Sequence, residues 1–147
     1  MHGSNKRIIA ALLLAAAPYG QAAQQGAPAV TPACPAQDIS FFIQRFATDE
    51  AIQRVFTVVP LTSQQLDLDA QPEPEQRTRT LQREQITFPV LPLAQERADG
   101  DLTMRLEEVT TLSARLDLFK ADTDYLISYF FKLGDCWRLV RIDNQSL

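Results

Sequence analysis

Residues 40–61 change from helical to extended spacing of apolar side chains. Phe42 and Phe46 lie four positions apart on one helical face, which predicts a helix that turns its aromatic side toward the core. Residues 55–61 are mostly β-branched and apolar. They include Pro60, which favours extended backbone before it, so this stretch predicts the first strand. The pattern therefore indicates a helix that leads directly into a sheet.

Residues suited to capping precede this helix and the turn that follows it. Asp38 or Ser40 is expected to cap the first helix, because a short polar side chain accepts hydrogen bonds from the free amides at a helix start. Thr48 or Asp49 is expected to cap a second short helical turn that runs through Gln53.

The C-terminal third alternates apolar and polar positions as strands do. Residues 125–133 alternate around Ser128 and Lys132, and Gly134-Asp135 predicts a two-residue turn into a last strand over 136–142. Residues 122–124 are expected to turn the preceding strand into this hairpin. Residues 98–100, Ala-Asp-Gly, also form a turn signal.

Residues 102–119 fit two patterns. Leucine and valine side chains would line one face of a helix, but the same residues suit two alternating strands. Val109-Thr110-Thr111 is a poor helix interior because β-branched side chains are restricted there. We therefore predict two strands.

The middle of the chain is polar. Residues 64–83 place an acidic cluster beside a basic one, which suits a solvated loop with locally balanced charges, or a docking surface as the alternative. Ile86, Phe88 and Val90 alternate like a strand. Pro89 and Pro92 cannot donate to a sheet, so this segment is expected at a sheet edge or across one end of the sheet.

The N-terminus has the three regions of a secretory signal peptide. Two basic residues precede the apolar run 8–17, and small residues follow to a cleavage site near Ala22 or Ala23. The run is short of the ~20 apolar residues of a spanning helix, which argues against an uncleaved anchor. We expect a signal peptide over 1–23, a Pro/Ala/Gln-rich linker over 24–36 and one domain over 37–147, in the periplasm or secreted.

Composition narrows the chemistry. The 147 residues are 46% hydrophobic and carry a net charge of −4, and loss of Lys6 and Arg7 would leave 12 basic against 18 acidic residues, about −6. This balance argues against a nucleic-acid partner. The only histidine, His2, would leave with the signal peptide, which excludes histidine-activated nucleophiles and histidine-bound metals. We predict no metal and no cofactor.

Two cysteines remain, Cys34 and Cys136. An even number at wide spacing in an exported chain favours a disulfide that joins the segment before the first helix to the last strand. Closing a loop of about 100 residues stabilises by up to ~4.7 kcal/mol in the chain-entropy model. A redox or metal pair is the alternative, but the two residues lack the close Cys-x-x-Cys spacing of such sites.

Two stretches carry a family resemblance: Phe41-Phe42-x-x-x-Phe46-x-x-Asp49-x-x-x-Gln53-Arg54-x-Phe56, and the ending Tyr129-Phe130-Phe131, Trp137-Arg138-Leu139, Ile142-Asp143-Asn144-Gln145-Ser146. The chain resembles small exported bacterial domains of the nuclear-transport-factor-two-like (cystatin-like) superfamily. The resemblance implies an α+β fold, with an N-terminal helix on a curved antiparallel sheet and a pocket between them. Members include enzymes, ligand binders and dimerisation modules, so the fold alone does not select a function.

Seven side chains are candidates for lining that pocket: Phe42, Phe46, Arg54, Asp117, Tyr125, Tyr129 and Trp137. The aromatic ones are equally suited to filling the core. Gln53 and Arg54 would satisfy backbone carbonyls at the end of the helix, or Arg54 would hold a carboxylate. Proton transfer would need Asp117 or Glu107 to face Tyr129.

The leading functional hypothesis is a periplasmic, non-enzymatic binding or protein-interaction module that acts through the cavity or an exposed sheet face. Its partner would be a small apolar ligand or an envelope protein, with a homodimer through the sheet face as an option. One alternative is an immunity or inhibitor protein against an envelope toxin, steered by charge to basic partners. A second is a histidine-independent isomerase or lyase with a carboxylate in the cone.

Overall fold

The structure, a computed structural model, describes residues 32–147, except for the side chains of residues 108 and 109. The predicted signal peptide and most of the predicted linker lie outside the described residues. The described part forms one compact unit. None of its helices is long and apolar enough to cross a membrane.

Two short helices open this unit: α1 (Ile39–Phe46) and α2 (Glu50–Phe56). Asp38 caps α1 and Asp49 caps α2, each by accepting a hydrogen bond from a backbone amide of the first turn. Both capping predictions are confirmed. Helix α2 continues to Phe56 instead of ending at Gln53, so the first strand starts two residues later than predicted.

Six strands form a single sheet in the order β2-β1-β6-β5-β4-β3. Neighbouring strands are antiparallel, except that β1 and β6 are parallel. The strands are β1 (Thr57–Asp67), β2 (Glu75–Leu81), β3 (Leu102–Thr110), β4 (Ser113–Lys120), β5 (Leu126–Leu133) and β6 (Trp137–Asn144). The two strands predicted in residues 102–119 and the C-terminal hairpin are confirmed. The hairpin link has three residues, since Leu133 pairs with Trp137.

The predicted loop over residues 64–83 is wrong, because β1 and β2 pair there as a hairpin. Arg77 Nε lies 2.6 Å from Asp67 Oδ2, and Gln64 Nε2 donates to Thr78 Oγ1 at 3.2 Å. All but the last side chain of β2 are exposed, on both faces of the strand. A strand that buries neither face has no apolar alternation, so its sequence resembles a loop.

The predicted strand through Ile86, Phe88 and Val90 is also wrong. A short 3-10 helix (Arg83–Gln85) and then irregular chain lead to α3 (Ala94–Asp99), which ends where the turn at 98–100 was expected. Proline cannot donate to a ladder, and the buried Gln53 holds this segment instead. Its side-chain amide donates to Leu91 O at 2.8 Å and accepts from Leu91 N at 3.0 Å.

Aromatic rings form the centre of the core between the helices and the sheet. Phe42 and Phe46 of α1 meet Phe56 of α2 and Phe131 of β5, and the Phe46 and Phe131 centroids lie 5.3 Å apart at nearly right angles. All four are at most 2% exposed. Each buried ring of this kind contributes about 1.5–3 kcal/mol by leaving water. These rings therefore fill the space between α1, α2 and β5.

The predicted disulfide between Cys34 and Cys136 is present, with its Cα atoms 5.5 Å apart. It ties the segment before α1 to the residue before β6. Two hydrogen bonds lie beside it: Trp137 Nε1 donates to Gln37 O at 2.7 Å, and Gln37 Nε2 donates to Asp135 O at 2.9 Å. The start of the domain is thereby fixed to the last hairpin.

Candidate functional site: the outer face of the sheet

The sheet face that points away from the helices carries a row of polar side chains. The strand register places Arg105, Asp117, Ser128, Asp143 and Gln64 side by side on β3, β4, β5, β6 and β1. Successive side chains of a strand alternate between faces, so this row lies opposite the buried leucines and aromatics of the core. We call this side of the sheet the outer face.

Asp117 is the most enclosed charge of the outer face, with a side chain only 4% exposed. Its carboxylate accepts from Ser128 Oγ at 2.8 Å and pairs with Arg105 Nη2 at 3.3 Å and with Arg115 Nε at 3.1 Å. Arg115 also contacts Glu107. These three partners offset the cost of burying the carboxylate, because a buried carboxylate without partners would strongly destabilise the fold.

Asp143, two strands away on β6, also pairs with an arginine. Arg141 Nε lies 3.0 Å from its carboxylate, and the Arg141 guanidinium lies over the Phe130 ring at 3.8 Å. Burial raises the pKa of Asp143, and the opposing effect of Arg141 is smaller. The two buried acids thus pair with arginine side chains that are partly exposed at the surface.

A groove of about 480 Å³ opens beside this layer. Phe130 and Val140 supply its apolar lining, and Gln64, Lys132 and Arg141 supply polar and cationic groups. Such a mixture can hold an apolar side chain while arginine and lysine contact acidic groups around it.

The outer face is more basic than the chain as a whole. Its described charges are five cations against three carboxylates, an excess of two positive charges on a chain of net charge −4. The cations are Arg105, Arg115, Lys132, Arg138 and Arg141, and the carboxylates are Glu107, Asp117 and Asp143. Because two of the three carboxylates are buried, an approaching partner meets mainly positive charge.

The seven predicted pocket residues do not line one cavity. Four of them are fully buried and fill the core, which was the alternative role for the aromatic candidates: Phe42, Phe46, Tyr129 and Trp137. Tyr129 Oη donates to Val90 O at 3.0 Å, and the half-buried Tyr125 packs against the same core. Burial raises the pKa of both phenols, which therefore stay protonated at neutral pH.

Asp117 and Arg54 lie elsewhere. Asp117 is on the outer face and Tyr129 on the core face, so these two side chains do not form the arrangement that proton transfer would need. Glu107, in the same row as Arg115 and Phe130, is on the outer face as well. Arg54 is exposed and pairs with Glu50, with Nε to Oε1 at 2.9 Å. It borders a second groove, at the junction of α2 and β1.

Sequence reasoning missed Arg115, Phe130, Arg141 and Asp143. Their signal was the strand alternation, which places Arg115 of β4, Phe130 of β5, and Arg141 and Asp143 of β6 on the face away from the core. Such positions usually form the solvated side of a sheet. The spacing of residues in the sequence does not show that arginine side chains would pair with Asp117 and Asp143.

No group of three or more histidine, cysteine, aspartate or glutamate side chains within residues 32–147 is arranged to hold a metal ion. The polar groups of the outer face are nevertheless well suited to contact another macromolecule. Arginine and aromatic residues are enriched where protein interfaces gain most of their affinity.

Comparison with known proteins identifies the fold. No family model and no curated protein matches the chain. A solved structure of an NTF2-like protein from Bacteroides fragilis matches with a TM-score of 0.53 and 21% identity, over 75% of this chain and 47% of that one. This chain thus spans about half the length of that protein. At this identity the likeness shows the fold alone, and the predicted α+β, nuclear-transport-factor-two-like architecture is confirmed.

Proposed function

We propose that this chain, with its nuclear-transport-factor-two-like fold, is a non-enzymatic protein-interaction module of the cell envelope that binds an acidic protein partner through the outer face. The observation that carries the proposal is the arginine layer that buried Asp117 and Asp143 hold beside an apolar groove. The envelope location draws support from the disulfide and from the predicted signal peptide.

Preorganisation supports a binding role for this layer. A free arginine side chain loses about 0.5–1.5 kcal/mol of conformational freedom when a partner fixes it. Arg105 and Arg115 are already held by Asp117, and Arg141 by Asp143 and the Phe130 ring. Much of that entropic cost is therefore met during folding, before the partner arrives.

The charge balance favours an acidic partner. Lys132 is exposed at the groove, and the guanidinium groups around it leave a net positive surface. Complementary charge accelerates encounter and disfavours wrong partners. An immunity protein that meets a basic toxin would need the opposite sign at its contact surface, so the outer face does not favour that alternative.

The core side of the sheet gives no specific support to the isomerase or lyase alternative. Of the buried polar residues in the described part of the chain, both carboxylates, Asp117 and Asp143, belong to the outer face. Aromatic side chains occupy the space between helices and sheet. Turnover that depended on Asp117 or Tyr129 would nevertheless contradict a purely binding role.

Photocrosslinking from the outer face tests the proposal. A photoreactive phenylalanine analogue replaces Phe130 in the full, exported chain, and a matched probe replaces Arg79, which is exposed on the opposite face of β2. We expect the probe at 130 to give one crosslinked envelope protein whose purified form binds the chain directly, and the probe at 79 to give none. Equal crosslinking from both positions, or none from 130, would refute the proposal, and a crosslink to a second copy would replace it with homodimerisation.

A further inference from the structure

The second groove, of about 560 Å³, lies where α2 runs into β1. Three of the side chains that line it are arginines, namely Arg54, Arg83 and Arg138, and none is acidic. They come from three separate elements: α2, the short 3-10 helix and β6. The fold thus brings together three guanidinium groups that are distant in sequence.

Only one of the three charges is neutralised by a described carboxylate. Arg54 pairs with Glu50, whereas Arg83 and Arg138 form no ion pair with the residues that the structure describes. Arg138 Nη1 instead donates to Val55 O at 3.4 Å. Three cations and one anion leave an excess of two positive charges at the groove.

Aromatic rings fix two of these guanidinium groups. The Arg54 guanidinium carbon lies 4.6 Å from the centre of the Phe88 ring, and that of Arg138 lies 5.7 Å from the centre of the Phe56 ring. Stacking on a ring face leaves the N–H donors at the guanidinium edge open to other groups. Arg54 uses its Nε and Nη2 donors for Glu50, and Arg138 uses Nη1 for Val55 O, so the other donors are available to a ligand. The donors are therefore oriented in advance, which reduces the entropic cost of holding a ligand.

A buried hydroxyl in the same groove lacks a partner. Thr57 is 5% exposed, and its Oγ1 atom makes no hydrogen bond in the described structure. Buried polar side chains are nearly always hydrogen-bonded, because an unsatisfied group costs about 1–3 kcal/mol. Among the described residues, three outer-face atoms share this condition: Arg115 Nε, Arg141 Nε and Asp143 Oδ1. Thr57 is the one that lines this groove, so its hydroxyl is an observation independent of the arginines.

We propose that this groove binds a small organic oxyanion, a carboxylate or a phosphate carried on a short apolar group. The oxyanion would accept hydrogen bonds from the guanidinium edges. It would also accept one from Thr57 Oγ1 after the Thr57 side chain rotates toward the groove that it lines. The side chains of residues 55, 58 and 59 are valines that line the same groove and supply apolar contact. The volume lies within the ~300–1,000 Å³ usual for small-molecule sites.

Titration calorimetry and amide chemical shifts of the full chain test this site, with butyl phosphate, butyrate and inorganic phosphate as separate probes. Binding of butyl phosphate or butyrate with shifts centred on Thr57 is expected, and their relative affinity decides between phosphate and carboxylate. Binding of inorganic phosphate as tight as that of both organic anions would overturn the apolar part of the proposal. Saturation by neither organic probe up to about 10 mM would overturn the site itself.

Two variants sharpen the test. Arg83→Ala should weaken binding about tenfold, the effect of one charge-assisted contact, while Arg79→Ala, an exposed arginine outside the groove, should not change it. Thr57→Val keeps the shape but removes the unsatisfied hydroxyl, so it should weaken binding several-fold while leaving the unfolding midpoint equal or higher. Unchanged affinity in both groove variants would overturn the assignment.

Discussion

Removal of the Asp117 charge should destabilise the domain more than loss of an ordinary surface charge would, although Asp117 lies outside the hydrophobic core. The Asp117 side chain is 4% exposed, and two arginines and the Ser128 hydroxyl contact it. Asp117→Asn keeps an oxygen that accepts from Ser128 but loses both ion pairs. Asp117→Ala loses all three contacts.

The surroundings set the size of the effect. Breaking a fully buried ion pair costs about 3–5 kcal/mol, whereas exposed pairs contribute about 0–1 kcal/mol. Arg105 and Arg115 are 60% and 34% exposed, so part of their charge returns to water when the carboxylate is lost. We therefore expect a loss of about 1–2 kcal/mol for Asp117→Asn and about 2–4 kcal/mol for Asp117→Ala.

Urea unfolding at pH 7, followed by the fluorescence of Trp137, measures these losses. The control is Glu107→Gln, which removes a 39% exposed carboxylate from the same cluster and should cost less than about 1 kcal/mol. If Asp117→Asn costs no more than Glu107→Gln, the outer face is an ordinary solvated surface, and the argument for a preorganised arginine layer fails.

Three further predictions concern the core and the buried polar groups. Loss of the Cys34–Cys136 disulfide by replacement of both residues with alanine should lower the free energy of unfolding by about 2–4 kcal/mol, measured by urea titration; an unchanged midpoint under oxidising conditions would contradict this. Gln53→Leu leaves the backbone amide and carbonyl of residue 91 without partners and should cost about 2–5 kcal/mol, with faster hydrogen exchange over residues 86–93; unchanged exchange there would argue against the clamp. The raised pKa of Asp143 means that the folded state holds this proton more tightly than the unfolded state, so its charged form opposes folding above that pKa and the opposition fades as pH falls through it. The free energy of unfolding of the wild type, relative to that of Asp143→Asn, should therefore increase as pH is lowered below neutral. A decrease would show that the folded state does not raise the pKa of Asp143.

The sequence predicted those elements whose positions follow from local chemistry. Asp38 and Asp49 cap helices because their side chains match the free amides next to them. Strands β3 to β6 pack apolar side chains of one face against the core, and so they alternate in sequence. The disulfide follows from the even number of cysteines in a chain with a predicted signal peptide.

Other features depend on contacts between distant residues. Strand β2 is exposed on both faces and therefore has no apolar alternation to detect. The irregular segment 86–93 is held by Gln53, 38 residues away from Leu91. The arginine layer is assembled by strand register, which places Asp117 beside Ser128 and Ser128 beside Asp143. The sequence alone does not show which of these polar residues will be buried.

The most direct test of the outer face is the affinity of the photocrosslinked partner for two charge-reversal variants. Lys132→Glu places a negative charge at the groove without touching the buried aspartates, and Arg79→Glu makes the same change of charge on the opposite face of β2. The account predicts that Lys132→Glu weakens binding about tenfold or more, and more strongly at low salt, while Arg79→Glu binds like the wild type. Equal affinities for the two variants would contradict it.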